Sequence, residues 1–371
     1  MISNYIITLV LTALACYVLT PFSMRVAKKI DAIDYPNEER KKGQKPTPRF
    51  GGFAVIVAFL TGSMYLLILM HLEHKLDIYI YKKAILAIVI STILITVLGL
   101  KDDTKGMSAK NKFLLQALIA IITIILGIRI QDFQIPFITE KLELGRKLSY
   151  LVTFLWIVGI MNAINLIDGF DGLSSSLVLT SILFLIVICF LDHSPIIGII
   201  FAIPLAGAII GFLPYNMEPA KTYIGDIGTN FMGYMLSVIA ILGVAKTYTA
   251  ITLIAPIIIL LVPIFDTCFA IIRRIVKAKS LKGVFLPDKG HVHHRLSALG
   301  LRPKHVVFIL CFITTLAGTF AVILMEGGII KAISYILLLL LMAFLGYNDF
   351  FSDKIYPKLR EGTKKKKKKD E

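Results

Sequence analysis

The stretch NAINLIDGFDG, residues 162–172, lies between two apolar runs that are each long enough to cross a lipid bilayer. It carries two carboxylates, Asp168 and Asp171, each followed by glycine, behind the amides of Asn162 and Asn165. Such groups are costly at membrane depth and usually face a cavity or one another. We therefore expect a helix to end near Asn165 and unwind, so that both aspartates face inward. An ordinary turn between helices, in which Asn and Asp are common, is the simpler alternative.

Two further segments carry carboxylates suited to phosphate or metal chemistry. KDDTKG (101–106) places Asp102 beside Asp103, and adjacent carboxylates repel each other unless a cation or a lysine compensates them. GDIGTN (225–230) places Asp226 between two glycines, where backbone can approach a phosphate closely and a helix N-terminus favours anions. An aspartate there would also offer oxygen ligands to Mg²⁺, a hard cation. The simpler alternatives are a solvated helix end and a capped helix start.

The segment after the paired aspartates has the pattern of a capped helix. Ser108 is a suitable N-cap residue, and Lys112 and Gln116 then share one face at a spacing of four residues. The sequence therefore predicts that Lys112 lies on the same side of this helix as Gln116.

The last polar segment, PDKGHVHHRL (287–296), is rich in histidine. Histidine is the commonest metal ligand, but no cysteine accompanies these residues, and adjacent histidines seldom hold one structural metal ion. We favour an anion-binding patch, in which histidine can bind or protonate a phosphate oxygen. Its candidate members share a basic or imidazole side chain and are His291, His293, His294 and Arg295, with Arg273 and Arg274 at the end of the preceding apolar run.

The composition identifies the elements that must position these residues. The chain is 57% hydrophobic and 17% charged, and its mean hydropathy is +0.80, which together indicate an integral membrane protein. Apolar runs of spanning length predict an all-α polytopic fold with about eleven transmembrane helices. The predicted spans are 4–24, 51–72, 84–100, 113–130, 148–164, 173–191, 196–214, 229–245, 249–272, 305–325 and 328–346.

The positive charges set the predicted orientation. With eleven spans, 31 of the 40 Lys and Arg residues fall on one set of alternating loops, which predicts that this set is cytoplasmic, with the N-terminus outside and the C-terminus inside. All four polar segments then lie on the cytoplasmic face and suggest one shared site. The net charge of +16 is explained by this topology, so no nucleic-acid partner is expected. The exterior segment 129–147 alternates like a short β-hairpin.

Two parts of the chain are expected. Residues 1–346 form a transmembrane catalytic domain, and residues 347–371 form a basic cytoplasmic tail. Each lysine of that tail would be attracted to anionic lipids by about 1 kcal/mol near the membrane surface.

Taken together and in this order, the four segments closely resemble those of the polyprenyl-phosphate N-acetylhexosamine-1-phosphate transferases. The resemblance extends from DYPNEERKKGQKPTPRFGG (34–52) to HVHHRL (291–296). It implies a multi-pass enzyme of the cytoplasmic membrane that transfers a sugar phosphate from a UDP-sugar to undecaprenyl phosphate. The H-x-H-H pattern after PDKG resembles the branch that uses UDP-GlcNAc, which begins teichoic acid, O-antigen or related glycans. The peptidoglycan branch, which uses UDP-MurNAc-pentapeptide, is the nearest alternative.

The resemblance also implies roles for individual residues. Asp102 and Asp103 are the acidic pair near the lipid phosphate, and Lys112 is the lysine near that acceptor. Asp226 is the main ligand of Mg²⁺, for which Mn²⁺ can substitute, with Asp102 or Asp168 nearby. Asn165 and Asp168 belong to the nucleotide and metal site, and His291, His293 and His294 match the loop that holds the diphosphate or the sugar. From the residues alone, Asp171, Arg273, Arg274 and Arg295 are further candidates for substrate binding. The family's frequent histidine in the first cytoplasmic loop is missing from RKKGQKP.

Several alternatives stay open at this stage. The lipid phosphate could attack the UDP-sugar directly, which we favour, or an aspartate could attack first and form a phosphorylated enzyme. A transporter for an anionic solute would need polar groups near the bilayer midplane, and a structural scaffold would leave the polar segments without a purpose. A second copy of the chain is kept as a further partner.

Overall fold

The structure is a computed structural model that describes residues 1–35, 46–133, 142–191, 195–244, 254–280 and 290–326. Helices form nearly all of this part of the chain. In chain order they are α1 (Ile2–Lys29), α2 (Gly51–Leu72), α3 (Ile78–Lys105), α4 (Ala109–Ile125), α5 (Arg146–Ile167), α6 (Leu173–Leu191), α7 (Ile196–Asn216), α8 (Gly225–Ile239), α9 (Ile254–Ile259), α10 (Leu261–Ala278), α11 (Val292–Ala298) and α12 (Pro303–Glu326).

Eight described helices are long and apolar enough to cross a membrane: α1, α2, α3, α5, α6, α7, α8 with the π-helical turn that follows it, and α12. This confirms an all-α, multi-pass fold. Helix α4 has only 17 residues. The predicted span 249–272 is divided at Leu260 into α9 and α10, and the predicted span 328–346 lies outside the described residues. The number of eleven spans and their orientation stay predictions, as does the basic tail, which is also outside the described residues.

One predicted span end was wrong, and one helix continues past its predicted span. Helix α4 ends at Ile125 rather than at residue 130, because Gly127 has a positive φ of 93° and the Ile128 N–H donates to the Thr123 carbonyl. Helix α3 continues to Lys105 rather than ending at residue 100, and Gly106 terminates it with a φ of 72°. The paired aspartates therefore lie in the last turn of α3.

In the described part of the chain, four short strands form two separate antiparallel pairs. Strand β1 (Ile33–Asp34) pairs with β2 (Thr47–Pro48), and β3 (Asp132–Phe133) pairs with β4 (Leu142–Glu143). The second pair lies within the segment predicted to be a hairpin, although each strand has only two residues. Its exterior location stays a prediction.

Helix α8 is the centre of the fold. Every residue from Ile227 to Gly243 is buried, and the helix packs against α2, α3 and α5. Glycine allows this close packing: a Cβ on Gly52 of α2 would lie 2.3 Å from the Gly228 backbone nitrogen. A Cβ on Gly99 of α3 would lie 2.8 Å from the Cα of Ile227. The start of α8 is therefore held between the start of α2 and the last turns of α3. In the predicted orientation, these are the cytoplasmic ends of both helices.

Candidate active site

Backbone hydrogen bonds bring the segment after β2 to the start of α8. The Tyr223 N–H donates to the Pro48 carbonyl at 2.8 Å, and the N–H groups of Gly51 and Gly52 donate to the carbonyls of Tyr223 and Ile224. Arg49 lies within this segment, so its guanidinium reaches the first turn of α8. These contacts hold the end of the first loop beside the start of α8, so this loop contributes to the site despite its missing histidine.

Asp226 lies in that first turn and is the meeting point of four chain segments. Its Oδ1 accepts hydrogen bonds from Lys112 Nζ of α4 at 2.6 Å and Asn165 Nδ2 of α5 at 2.7 Å. Its Oδ2 accepts one from Arg49 Nη2 at 3.3 Å. Asn165 also donates to Thr229 Oγ1 at 2.8 Å. We call Asp226, Lys112, Asn165 and Arg49 the Asp226 cluster.

The paired aspartates of α3 have different partners. Asp102 Oδ2 forms an ion pair with Lys112 Nζ at 2.7 Å, and its Oδ1 accepts from the Met107 N–H. The buried Asp103 instead accepts from the backbone N–H groups of Asp226 and Ile227, at 2.8 and 3.2 Å. Asp103 thus satisfies donors that an isolated helix start would leave unpaired, while Asp102 orients Lys112.

The segment 162–172 contains the end of helix α5 and the non-helical turn that follows it. Helix α5 ends at Ile167, and α6 begins at Leu173 after Gly172, whose φ is 72°. Asp168 follows α5, and its Oδ1 accepts from Ser174 Oγ at 2.6 Å. Asp171 Oδ2 accepts from the Ala220 N–H, which ties this turn to the loop before α8.

The histidine segment is anchored by Asp266 of α10. Asp266 Oδ2 lies 2.8 Å from His291 Nδ1, and its Oδ1 accepts from the Val292 N–H at the start of α11. The ring of the buried His293 is stacked on that of His291, with centroids 5.7 Å apart. The Phe170 ring meets His293 edge-on at 5.2 Å. The histidine segment therefore packs directly on the turn after α5.

A cavity of about 550 Å³ opens beside the Asp226 cluster. Its size suits a small organic ligand. Four carboxylates line it, and Arg49 is the only Lys or Arg among the described lining residues. The lining residues are Asp34, Arg49, Asp168, Gly169, Phe170, Asp171, Asn216, Glu218, Tyr223, Ile224, Gly225, His294 and Pro303.

The structure brings together most of the residues singled out from sequence. Asp226 contacts Lys112, Asn165 and Asp103, and Lys112 also contacts Asp102. Three other candidates line the cavity, namely Asp168, Asp171 and His294. The remaining candidates, His291, His293, Arg273, Arg274 and Arg295, do not line it. Arg273 packs near Gly290, and Arg295 is exposed.

Sequence reasoning left Arg49 and Asp266 outside the set of site residues. Arg49 precedes the Gly51–Gly52 pair, but its partner is 177 residues away, and no local pattern indicates that distance. Asp266 had a usable signal, because it is a lone carboxylate within a predicted apolar span. An ionisable residue in such a position is a functional candidate.

Two groups near the cavity have shifted pKa values. Burial raises the pKa of Asp168 to about 6, and the nearby Asp226 carboxylate adds to the shift, against the Ser174 hydrogen bond. Burial lowers the pKa of His293 to about 4, and the neighbouring His294 adds to that shift. His293 is therefore neutral at physiological pH.

These two shifts predict opposite pH effects on stability. Between pH 4 and 6 the folded chain keeps a proton on Asp168 that the unfolded chain releases, so this group makes stability fall as pH rises. Between pH 6.5 and 4 the unfolded chain protonates His293 and the folded chain does not, so this group makes stability fall as pH decreases. Relative to wild type, Asp168→Asn should gain stability as pH rises through 4–6, and His293→Gln should gain as pH falls from 6.5 to 4.

The measurement is the thermal denaturation midpoint in detergent with EDTA, from pH 4 to 7. Only the pH-dependent part of each difference counts, because each substitution also has a constant effect on packing. Parallel curves for a variant and the wild type would contradict the corresponding assignment.

A substitution at Gly169 would test the contact between the turn after α5 and the histidine segment. A Cβ at this position would lie 2.1 Å from His293 Nε2, so Gly169→Ala must displace the buried imidazole. We expect turnover to fall by about 10-fold or more, since small displacements near a site have large effects. The matched control is Gly159→Ala on α5, where a Cβ would meet nothing within 4 Å. Equal turnover in the two variants would remove His293 from the site.

The pair of carboxylates around Lys112 fits a hard divalent cation. The Lys112 ammonium bridges the carboxylates of Asp102 and Asp226, and carboxylate oxygens are ligands that such a cation takes. Within the described ranges, no three acidic, histidine or cysteine side chains converge closely enough to hold a metal alone. Mg²⁺ is usually held by one or two carboxylates together with substrate phosphates, so this arrangement is compatible with it.

Comparisons with known proteins identify the family of the chain. Residues 85–244 match the family described as Glycosyl transferase family 4. The chain is 37% identical over 336 residues to a probable undecaprenyl-phosphate N-acetylglucosaminyl 1-phosphate transferase of Bacillus subtilis, covering 91% of this chain and 89% of that protein. It is 30% identical over 320 residues to the decaprenyl-phosphate N-acetylglucosaminephosphotransferase of Mycobacterium leprae, covering 80% and 78%.

A more distant relative comes from the other branch. The phospho-N-acetylmuramoyl-pentapeptide-transferase of Staphylococcus epidermidis is 29% identical over 250 residues, covering 63% of this chain and 74% of that protein. The extent of the first similarity, the multi-pass fold and the clustered polar segments lead to one conclusion. The chain belongs to glycosyl transferase family 4, the polyprenyl-phosphate N-acetylhexosamine-1-phosphate transferases.

Proposed function

We propose that this enzyme transfers GlcNAc-1-phosphate from UDP-GlcNAc to undecaprenyl phosphate, releasing UMP at the cytoplasmic face of the membrane. The observation that carries the proposal is the Asp226 cluster, in which two cationic side chains and an amide converge on one carboxylate beside a 550 Å³ cavity. The sugar is supported by the relatives whose names specify N-acetylglucosamine, because they share more of this chain than the pentapeptide transferase does. The product would begin a cell-surface glycan such as a teichoic acid or an O-antigen.

The reaction exchanges one phosphoanhydride bond for another. An oxygen of the lipid phosphate attacks the β-phosphorus of UDP-GlcNAc, and the bond from that phosphorus to the bridging oxygen breaks. The electron pair leaves on UMP. A phosphate monoester has a second pKa of about 6, so the acceptor is largely dianionic near neutral pH without an enzymatic base. Both reactants are anions, and their repulsion is the main obstacle that the protein must offset.

The contacts of the paired aspartates favour direct attack. Both oxygens of Asp103 accept backbone N–H groups of α8, and both oxygens of Asp102 are engaged by Lys112 and the Met107 N–H. These contacts withdraw electron density from both oxygens of each carboxylate, which weakens the carboxylate as a nucleophile. We assign Asp103 to the placement of α8 and Asp102 to the placement of Lys112.

Cationic side chains would neutralise the phosphates. Lys112 and Arg49 lie on opposite oxygens of Asp226, so both are held beside the place where the diphosphate would lie. The lining of the cavity is otherwise acidic, with Asp34, Asp171 and Glu218 among its residues, and would repel a diphosphate by itself. We therefore propose that Asp226 and Asp168 hold Mg²⁺, which when bound would offset charge on the diphosphate and the leaving UMP.

The test uses purified protein, undecaprenyl phosphate and Mg²⁺, with radiolabelled UDP-GlcNAc or UDP-MurNAc-pentapeptide in separate tubes. The measurement is the transfer of label into the lipid phase. We expect transfer from UDP-GlcNAc alone, with UMP released in equal amount. Transfer from the pentapeptide donor alone would overturn the choice of sugar while retaining the reaction. Transfer from neither donor would overturn the proposal.

A further inference from the structure

Three amide side chains lie one helical turn further from the predicted cytoplasmic face than the Asp226 cluster. They occupy the same three helices that supply Lys112, Asn165 and Asp226, and each is three or four residues from one of them, on the same helix face. These amides are Gln116 on α4, Asn162 on α5 and Asn230 on α8. Gln116 is fully buried, and Asn230 is 5% exposed.

The three amides form a directed chain of hydrogen bonds across the helices. Asn162 Nδ2 donates to Gln116 Oε1 at 2.6 Å, and Gln116 Nε2 donates to Asn230 Oδ1 at 2.9 Å. Asn230 Nδ2 then donates to the backbone carbonyl of Asp226 at 2.7 Å. We call Asn162, Gln116 and Asn230 the amide chain.

The direction of the amide chain is fixed at both ends. Asn162 Nδ2 also donates to the Val158 carbonyl at 2.9 Å, so its nitrogen must face Gln116. The oxygen of Gln116 then accepts, and its nitrogen must donate to the oxygen of Asn230. The nitrogen of Asn230 is thereby directed at the Asp226 carbonyl. A backbone carbonyl at each end, which can only accept, makes this the arrangement in which every contact has one donor and one acceptor.

Because Gln116 and Asn230 are buried, their hydrogen bonds favour one register of α4 and α5 against α8. If α4 or α5 slid or rotated against α8, at least one amide would lose its partner where water cannot replace it. The residues one turn nearer the predicted cytoplasmic face would move with the helices. Lys112 and Asn165 both contact the same oxygen of Asp226, at 2.6 and 2.7 Å, and small movements would break these contacts.

We propose that Gln116, Asn162 and Asn230 are positioning residues that hold Lys112 and Asn165 against Asp226 for phosphoryl transfer. None of them lines the cavity, so they act through the Asp226 cluster rather than on the substrate. The inference rests on the proposed function for its kinetic consequence. Its structural consequence, the placement of Lys112, is independent of any substrate.

The first test is Gln116→Met, which keeps the length of the side chain and removes both hydrogen bonds. We expect kcat to fall by about 10²-fold, as for a displacement of about 1 Å near a reacting group. KM for UDP-GlcNAc should change little, because the amide chain does not touch the cavity. The control is Thr123→Val, two turns deeper on the same helix, which removes a hydrogen bond to Tyr234 without touching the amide chain.

Coupling between the amides separates positioning from general stability. If they act as one chain, Gln116→Met with Asn230→Leu should lower kcat little further than Gln116→Met alone. If the amides only stabilised the fold, the substitutions would lower the thermal denaturation midpoint and leave the kcat of the folded enzyme unchanged. Their effects on the midpoint would then be additive. That result would overturn the proposal.

A second readout does not depend on turnover. Acetic anhydride labelling, followed by mass spectrometry, compares Lys112 with Lys110, an exposed lysine on the same helix. The two carboxylate contacts of Lys112 should slow its labelling in the wild type, and Gln116→Met should raise the Lys112 to Lys110 ratio while Thr123→Val should not. An unchanged ratio in Gln116→Met would overturn the positioning role. If the wild type transferred neither sugar, the proposed function would be wrong. The labelling ratio would still show whether the amide chain positions Lys112.

Discussion

Asp226→Asn is expected to lower transfer from UDP-GlcNAc by about 10²–10³-fold or more, the range seen when one electrostatic group of a reaction centre is removed. Asparagine keeps the shape of the side chain but removes its negative charge. Lys112 and Arg49 would lose the anion between them, and an amide nitrogen would face at least one of these cations. The substitution would also remove the carboxylate that we assign to Mg²⁺. Initial rates of lipid-phase labelling give the measurement.

A loss of transfer can be assigned to the site only if Asp226→Asn still folds. The backbone N–H of residue 226 would still donate to Asp103, so α8 should keep its start. The matched control is Asp77→Asn, which removes one charge at the N-cap of α3, where asparagine caps a helix as well as aspartate does. Both variants should elute from size exclusion like the wild type. Near-normal turnover in Asp226→Asn would contradict the role of this carboxylate.

Lys112→Met is expected to have an effect of similar size, about 10²–10³-fold on turnover. The ammonium is 2.7 Å from Asp102 Oδ2 and 2.6 Å from Asp226 Oδ1, so its removal leaves two carboxylates without the cation between them. Their repulsion should displace Asp226 and reduce the positive charge available to the phosphates. The measurement is kcat and KM for UDP-GlcNAc and for undecaprenyl phosphate separately.

Two further variants define what Lys112 contributes. Lys110→Met removes the same charge from an exposed position two residues earlier, and it should retain wild-type turnover. Lys112→Arg keeps the charge but replaces a point charge with a planar fork, so we expect partial activity. If Lys112→Met and Lys110→Met behaved alike, the contacts to Asp102 and Asp226 would have no catalytic consequence.

The sequence by itself determined the features that depend on neighbouring residues. Apolar length predicts the spans, and the glycines and aspartates of residues 162–172 predict an unwound helix end because they disfavour a continuous helix locally. Ser108 was a correct N-cap prediction, since its Oγ accepts from the Asn111 N–H at 3.3 Å. The predicted end of this span at residue 130 was wrong. Apolar residues continue past Ile125, whereas the helix stops there because Gly127 has a positive φ.

Only the tertiary structure decided which side chains act together. Asp102 and Asp103 look equivalent in sequence, but successive helical residues point about 100° apart, so one meets Lys112 and the other meets the start of α8. Arg49 reaches Asp226 from a loop 177 residues away, and the carboxylate of Asp266 was matched to His291 only by the packing of α10 against the histidine segment. Sequence patterns record the preferences of adjacent residues. The partner of a buried charge is fixed by which helices pack together and in which register.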